Sequence, residues 1–267
     1  MPRYSLFTKT VFASLAMAML LSGTIRQLKA AEDTPMQEYY ELRVYRSPNA
    51  EKRQVVSDYV ERALLPALMR QGIDRVGVFT RTDDDADFAL YMLIPFKTLT
   101  AFSELNQKLA TDTEYAKAAA DYFAIAMADA PYSRIESKFM KAFAGMPVME
   151  QPEYSVKKEP RLFELRTYES HNADKARLKV AMFNDGEIDI MRNVKLAPLF
   201  YGETLIGNDV PNLTYMLTAP DMKAHDEHWN GFRTHPDWLV MKGLDKYKDT
   251  VSKINRWYLV PTAYSQL

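Results

Sequence analysis

The sequence predicts an α+β protein in which two tandem copies of one unit pack together within a single chain. Three observations predict it. Tyr40-Glu41-Leu42-Arg43-Val44-Tyr45 returns as Phe163-Glu164-Leu165-Arg166-Thr167-Tyr168, identical at four of six positions. Asn49-Ala50-Glu51-Lys52 returns at the same offset of 123 as Asn172-Ala173-Asp174-Lys175, and Tyr91-Met92-Leu93 returns at 124 as Tyr215-Met216-Leu217. Within each copy, two-residue and helical apolar periods alternate in the same order.

The opening strand of the first copy alternates Tyr40, Leu42 and Val44 on one face with Glu41, Arg43 and Tyr45 on the other. A helix follows over 50–71, with Val56, Tyr59, Val60, Ala63, Leu64 and Leu68 at helical spacing and Gly72 as its stop. Segments 75–82 and 88–95 form a hairpin across the acidic run 83–87. Helices over 98–128 and a strand over 132–140 close the copy. The second copy repeats this with a helix over 173–194, a hairpin of 198–207 and 213–219, helices over 222–251 that restart at Pro236, and a strand over 253–260. Units span 39–146 and 161–267, and the proline-bearing stretch 147–160 reads as a linker.

Such a strand–helix–strand–strand–helix–strand unit is ferredoxin-like. Its helices cover one sheet face and leave the other bare. Two copies resolve this by packing bare face on bare face, which gives an intrachain version of the dimeric α/β-barrel.

Bulk properties narrow the function. Apolar residues make up 47% of the chain and charged residues 26%, the balance of an ordinary globular protein. Residues 1–31 read as a signal peptide: Arg3 and Lys9, an apolar run from Val11 to Leu21, then Ser22, Gly23 and a short polar stretch with Arg26 and Lys29 that ends in Ala30 and Ala31. The expected location is therefore secreted or periplasmic, with a mitochondrial presequence or an uncleaved membrane anchor as alternatives. The run is too short for a comfortable bilayer span, so no stable membrane span is expected once the leader is removed. Without it, 30 basic residues face 35 acidic ones, a net charge of about −5, which disfavours nucleic acid as a partner. Absence of cysteine excludes disulfides, thiol nucleophiles and zinc–thiolate sites. No Ser-His-Asp set, phosphate-binding glycine loop or dinucleotide fingerprint is present.

Two motifs carry a resemblance to a known family. The Tyr/Phe-Glu-Leu-Arg-x-Tyr strand, at 40–45 and 163–168, and Trp229-Asn230-Gly231-Phe232-Arg233-Thr234-His235-Pro236-Asp237-Trp238 resemble the NIPSNAP family. Trp229, Phe232, Arg233, Pro236 and Trp238 are its motif positions; the first copy has Tyr115 where the second has Trp238 and is a diverged unit. The resemblance covers 39–267 and looks like that of exported two-repeat bacterial members. It implies the dimeric α/β-barrel fold, which related families use for haem binding, haem degradation and cofactor-free oxygenation, and it implies no agreed catalytic set.

Two groups of residues are candidates for chemistry. Glu41, Arg43, Tyr45, Glu164, Arg166 and Tyr168 project from the face opposite Leu42 and Leu165. If that face lines the barrel, four charges meet at its centre and bind a carboxylate, or form a structural network that sets how the copies register. His225, His228 and His235 are candidates for a metal or haem iron, although a third zinc ligand and an HExxH spacing are lacking, and His225 also falls beside the apolar stripe of Met222, Trp229 and Phe232. The acidic run 83–87 lacks the EF-hand order and reads as a hairpin turn, and Asn212-Leu213-Thr214 is a glycan acceptor only in a eukaryotic secretory route. No cofactor is required by the sequence. The expected function is an exported NIPSNAP-domain protein that holds a small apolar or aromatic ligand or serves as an assembly module, with homo-oligomers allowed. The alternative is a small oxidoreductase of the α/β-barrel kind, haem-dependent or a cofactor-free monooxygenase.

Overall fold

The computed structural model describes residues 36–267; the expected leader lies outside them. The first half runs β1 (Tyr39–Arg46), α1 (50–70), β2 (Gly77–Arg81), β3 (Leu90–Phe96), α2 (Leu99–Thr111), α3 (Thr113–Ala118), α4 (Ala120–Phe123) and β4 (Arg134–Ala142). One helical turn, α5 (Glu153–Val156), sits in the connecting segment, where the sequence suggested only a linker. The second half runs β5 (Leu162–Glu169), α6 (173–193), β6 (Ala197–Ile206), β7 (Asn212–Ala219), α7 (Met222–Thr234), α8 (Pro236–Met241) and β8 (Lys253–Pro261).

The repeated Asn-Ala-acid-Lys motif has a structural reason. Asn49 and Asn172 cap α1 and α6, their side chains accepting from the backbone N–H of Lys52 at 2.8 Å and Lys175 at 2.9 Å. The same two lysines then donate from Nζ to the carbonyls of Asp129 and Lys248, tying each helix start to the loop before its closing strand. Both helices widen into one π-helical turn at the same place, Val60–Leu64 and Phe183–Glu187. The helical stretch read over 98–128 breaks into three: Asp112 leaves the helical conformation and caps α3, accepting from Tyr115 N–H at 2.9 Å, and a second break falls at Ala119.

Within each half the sheet order is that of a ferredoxin-like unit, β4-β1-β3-β2 and β8-β5-β7-β6. The edges of the two sheets then pair with each other. β2 joins β8, with Thr80 opposite Val260, and β4 joins β6, with Lys141 opposite Glu203, so eight antiparallel strands close into a barrel. Closure leaves no sheet edge unpaired.

The face that lines the barrel is the apolar one. Tyr40, Leu42, Val44, Phe79, Phe163, Leu165, Phe200 and Leu259 form one buried cluster drawn from both halves, with Phe79 edge-on to Phe163 at 4.8 Å and Tyr40 against Phe200 at 4.9 Å. The side chain of Leu267 completes it. An eight-stranded barrel has an interior only wide enough for side chains to fill. Glu41, Arg43, Glu164 and Arg166 therefore do not meet at its centre; they lie on the outer face, under the helices. Nor do they register the copies, since each arginine pairs with the glutamate of its own strand.

Phe163 is fully buried where the two halves meet. Phe163→Ala is expected to lower the unfolding free energy by ~3–5 kcal/mol, read as a shifted denaturant midpoint. A change within the range of a surface substitution would show that the barrel interior does not carry the fold.

Candidate functional site

On the outer face of β5, Glu164 is 1% exposed and ionised. Its Oε1 accepts from Arg166 Nη1 at 2.6 Å, and its Oε2 accepts from Trp229 Nε1 at 2.7 Å and faces His225 Nε2 at 3.0 Å. Burial raises a carboxyl pKa, yet these donors outweigh it and hold Glu164 below the usual carboxylate range. His225 is 4% exposed, and its Nδ1 lies 2.9 Å from Asp226 Oδ1. Burial alone would lower its pKa, but hydrogen bonds to Glu164 and Asp226 raise it above the ordinary value. The imidazole thus bridges two carboxylates, and both favour its protonated form. Helix α7 supplies His225, Trp229 and Phe232 at helical spacing, capped by Asp221, whose side chain accepts from Ala224 N–H at 2.8 Å.

This cluster forms one wall of a cavity of about 460 Å³ between β5, β8 and the helices α6, α7 and α8. Its walls are aromatic: Tyr168, Trp229, Phe232, Trp238, Tyr247 and Tyr258. Its charge is cationic, with Arg166, Lys179, Arg233, Lys242 and Arg256 against Glu187 and Asp226. Arg166 and Arg256 stand directly opposite on adjacent strands, an unfavourable like-charge pair unless an anion lies between them. The Arg166 guanidinium lies over the Trp229 ring at 4.6 Å, and its Nε is buried with no partner among the described residues. Arg233, Lys242 and Arg256 are exposed and make no ion pair among the described residues.

The corresponding space in the first half is filled. Register places Ser137 and Phe139 where the second half has Arg256 and Tyr258, and Ser137 is absorbed by a 2.8 Å hydrogen bond to Glu41. Tyr59 stands where α6 has Met182; it stacks on Tyr122 at 3.9 Å and shares a 2.6 Å hydrogen bond with Tyr115. Tyr122 and Phe123 come from α4, which has no counterpart in the second half among the described residues.

Helix α6 adds a feature that sequence reasoning missed. Lys179 Nζ and Glu187 Oε2 are 2.6 Å apart, both nearly fully buried, and both line the cavity. Lys179 also sits over the Phe183 ring at 4.5 Å. Burial pushes the Glu187 carboxyl up, against the opposing pull of Lys179. The two residues are eight apart, and the intervening π-helical turn includes Gly186 at φ 136°, a conformation suited to glycine. Equivalent positions in α1 are Val56 and Leu64, both in the apolar core. Comparing the two copies at this offset was the signal that could have found the pair.

Residues 163–266 match the family model described as NIPSNAP. The second half of the chain is thus a NIPSNAP domain. An uncharacterised NIPSNAP-like domain protein from Burkholderia xenovorans is 19% identical over 40% of this chain and 90% of its own, with a TM-score of 0.37. Other solved structures span both halves. A protein of Fusobacterium nucleatum provisionally named a monooxygenase is 13% identical, over 85% of this chain and 93% of its own, with a TM-score of 0.53. One from Lactobacillus acidophilus with the same provisional name is 9% identical, over 84% and 94%, with a TM-score of 0.51. At such identities the likeness is one of fold. No curated protein matches the sequence.

The NIPSNAP motif residues converge on the cavity. Trp229, Phe232, Arg233 and Trp238 line it, with Phe232 and Trp238 rings 4.5 Å apart, and Pro236 opens α8. Tyr168 lines it too, its hydroxyl accepting from Tyr215 at 2.7 Å. Tyr45, its counterpart, is packed into the first-half core. The three histidines do not converge. His228 faces a different cavity beside Pro198 and Arg192, burial lowering its pKa, and His235 caps α8. No group of three metal-ligating residues forms among the described residues, and His225 has both ring nitrogens engaged, which does not fit an axial haem ligand. In the acidic hairpin Arg81 holds Asp83 at 2.6 Å, and Tyr91 donates to Asp87 at 2.5 Å. Asn212 is buried, its Nδ2 donating to the carbonyls of Asn208 and Asp209, so the acceptor motif is not presented by the folded chain.

Lys179→Ala is expected to destabilise the NIPSNAP unit by ~3–5 kcal/mol by stranding Glu187, whereas K179V/E187L, which installs the first-half residues, is expected to be neutral or stabilising by ~1–4 kcal/mol. Denaturant midpoints of the three proteins check this; equal losses in both variants would contradict it.

The Glu164–His225 pair makes stability depend on pH in a defined sense. A raised histidine pKa contributes fully below its ordinary value of about 6.5 and is lost as pH rises through the raised value; a depressed carboxyl contributes above about 4.3 and is lost as pH falls through its lowered value. E164Q is expected to shrink the loss of stability between about pH 6 and pH 9, measured by denaturation at both. An unchanged slope would remove the pair from the pH response.

Proposed function

We propose that this NIPSNAP-domain protein is an exported binding protein whose second-half cavity holds a small aromatic or apolar anion, a carboxylate being the simplest class. The observation that carries this reading is the difference between the two halves. At positions where the first half has Ser137, Phe139 and a tyrosine stack, the second half has an open aromatic cavity with Arg166 and Arg256 opposed across adjacent strands. Aromatic walls supply apolar burial and stacking, and arginine forks supply planar, two-pronged recognition of a carboxylate. Pockets of this size that combine apolar walls with a few convergent polar groups are the usual form of small-molecule sites.

A second reading, a cofactor-free oxidoreductase, draws support from the Glu164–His225–Asp226 chain at the cavity wall, which can hold or move a proton at His225 Nε2. The fold is shared with proteins provisionally named monooxygenases. Fold alone does not carry an activity. Oxygen uptake with a bound aromatic substrate separates this reading from simple binding.

Trp229 and Trp238 line the cavity, so intrinsic fluorescence reports occupancy. Titration with an aromatic carboxylate and with its neutral amide is expected to favour the acid. Arg256→Gln is expected to weaken the acid by ~10–100-fold, the equivalent of one charge-assisted hydrogen bond, with an unchanged melting temperature. Equal affinity for acid and amide in wild type, or no effect of R256Q, overturns the proposal.

A further inference from the structure

The barrel has a second polar site at one end, on the face away from the cationic cavity. Lys138 projects from β4 on the interior side, opposite Leu42 of β1. Its Nζ donates to Thr167 Oγ1 at 3.3 Å and Thr214 Oγ1 at 3.2 Å, two fully buried hydroxyls that are 2.8 Å from each other. These are its hydrogen bonds among the described residues, and no carboxylate pairs with it there. Gly207, in the turn after β6, closes over the lysine stem; a Cβ there would lie 3.1 Å from Lys138 Cγ. A cavity of about 130 Å³ opens beside the amine, floored by Leu42, Val44, Leu165 and Trp257.

We propose that Lys138 is a reactive amine that captures small aldehydes or ketones as an imine at the mouth of the barrel. In that step the amine lone pair adds to the carbonyl carbon, and the C=O pair moves to oxygen, which takes a proton. Nitrogen then gives up its protons as water leaves and C=N forms, so amine and carbonyl become imine and water with no change of oxidation state. The two threonines share one hydroxyl hydrogen between them, which leaves the other to donate to the carbonyl oxygen. Leu42, Val44, Leu165 and Trp257 give one side of the site an apolar surface on which the alkyl part of the carbonyl compound packs.

The charges facing Lys138 are Glu136 on its own strand, Arg46 on β1, Asp209 in the β6–β7 turn and Glu169 on β5, with Tyr91 of β3 also lining the cavity. Burial outweighs the raising effect of Asp209 and Glu169 and lowers the lysine to about 8. At pH 7 roughly one amine in ten is then unprotonated, against fewer than about one in a thousand for an ordinary lysine.

The test uses the full-length protein with propanal and sodium cyanoborohydride, which traps the imine as a propyl amine, followed by peptide mass mapping. Lys138 is expected to label at least ~tenfold faster than the exposed Lys157 and Lys223 at pH 7. The pH dependence of its rate is expected to have a midpoint at about 8. K138M, checked by its melting temperature, should lose the fast phase alone. Labelling of Lys138 at or below the rate of Lys223, or a midpoint in the ordinary lysine range, overturns the proposal, and both are read on the unmodified sequence. Acid-selective binding in the outer cavity is a separate readout that neither outcome alters.

Discussion

Each four-stranded sheet in this protein has an apolar face that its own helices do not cover. Leaving that face in water costs about 25 cal/mol for every Å² of apolar surface, and the two halves remove the cost by covering each other. Their edges pair at the same time, β2 with β8 and β4 with β6, so one closure buries the faces and satisfies the edge hydrogen bonds. Tyr40, Phe79, Phe163 and Phe200 fill the interior so fully that charged side chains are kept from its centre. Towards one barrel mouth the interior turns polar, where Lys138 meets Thr167 and Thr214.

The charged alternate residues of β1 and β5 are consequently held between sheet and helices. Ions survive there only when paired and hydrogen-bonded. Glu41 meets this with Arg43 and Ser137, and Glu164 meets it with Arg166, His225 and Trp229. Two copies of one strand motif thus acquire different surroundings from different helices. The first half closes over its ion pair with tyrosines and α4; the second leaves a cavity and lines it with arginines. That divergence, with the barrel as a common scaffold, is the physical basis for the proposal that one half binds a ligand.

The helix layer also explains why polar groups concentrate in the second half. Lys179 and Glu187 replace an apolar pair and are brought together by a π-helical turn around Gly186. A buried ion pair of this kind is weak evidence for stability. Placed at the floor of a cavity lined by Trp238 and Tyr168, it shapes a polar pocket instead of strengthening a core.

Much of the architecture was determined by the sequence alone. The repeated Glu-Leu-Arg strands, the Asn helix caps, the Gly72 stop and the restart at Pro236 are local signals, set by backbone conformation and by hydrogen bonds a few residues apart. They sufficed for element order, for the two-copy plan and for placing Trp229, Phe232 and Trp238 on one functional stretch. What lay beyond local reach was decided by the tertiary structure. Alternation assigns Leu42 and Arg43 to opposite faces but does not say which face turns inward; that depends on both sheets together, because only the apolar set can fill a closed barrel. The approach of Lys179 to Glu187, of Glu164 to His225 and Trp229, and of Arg166 to Arg256 likewise depends on how helices and strands distant in sequence pack, since no residue carries a record of its neighbours across the fold.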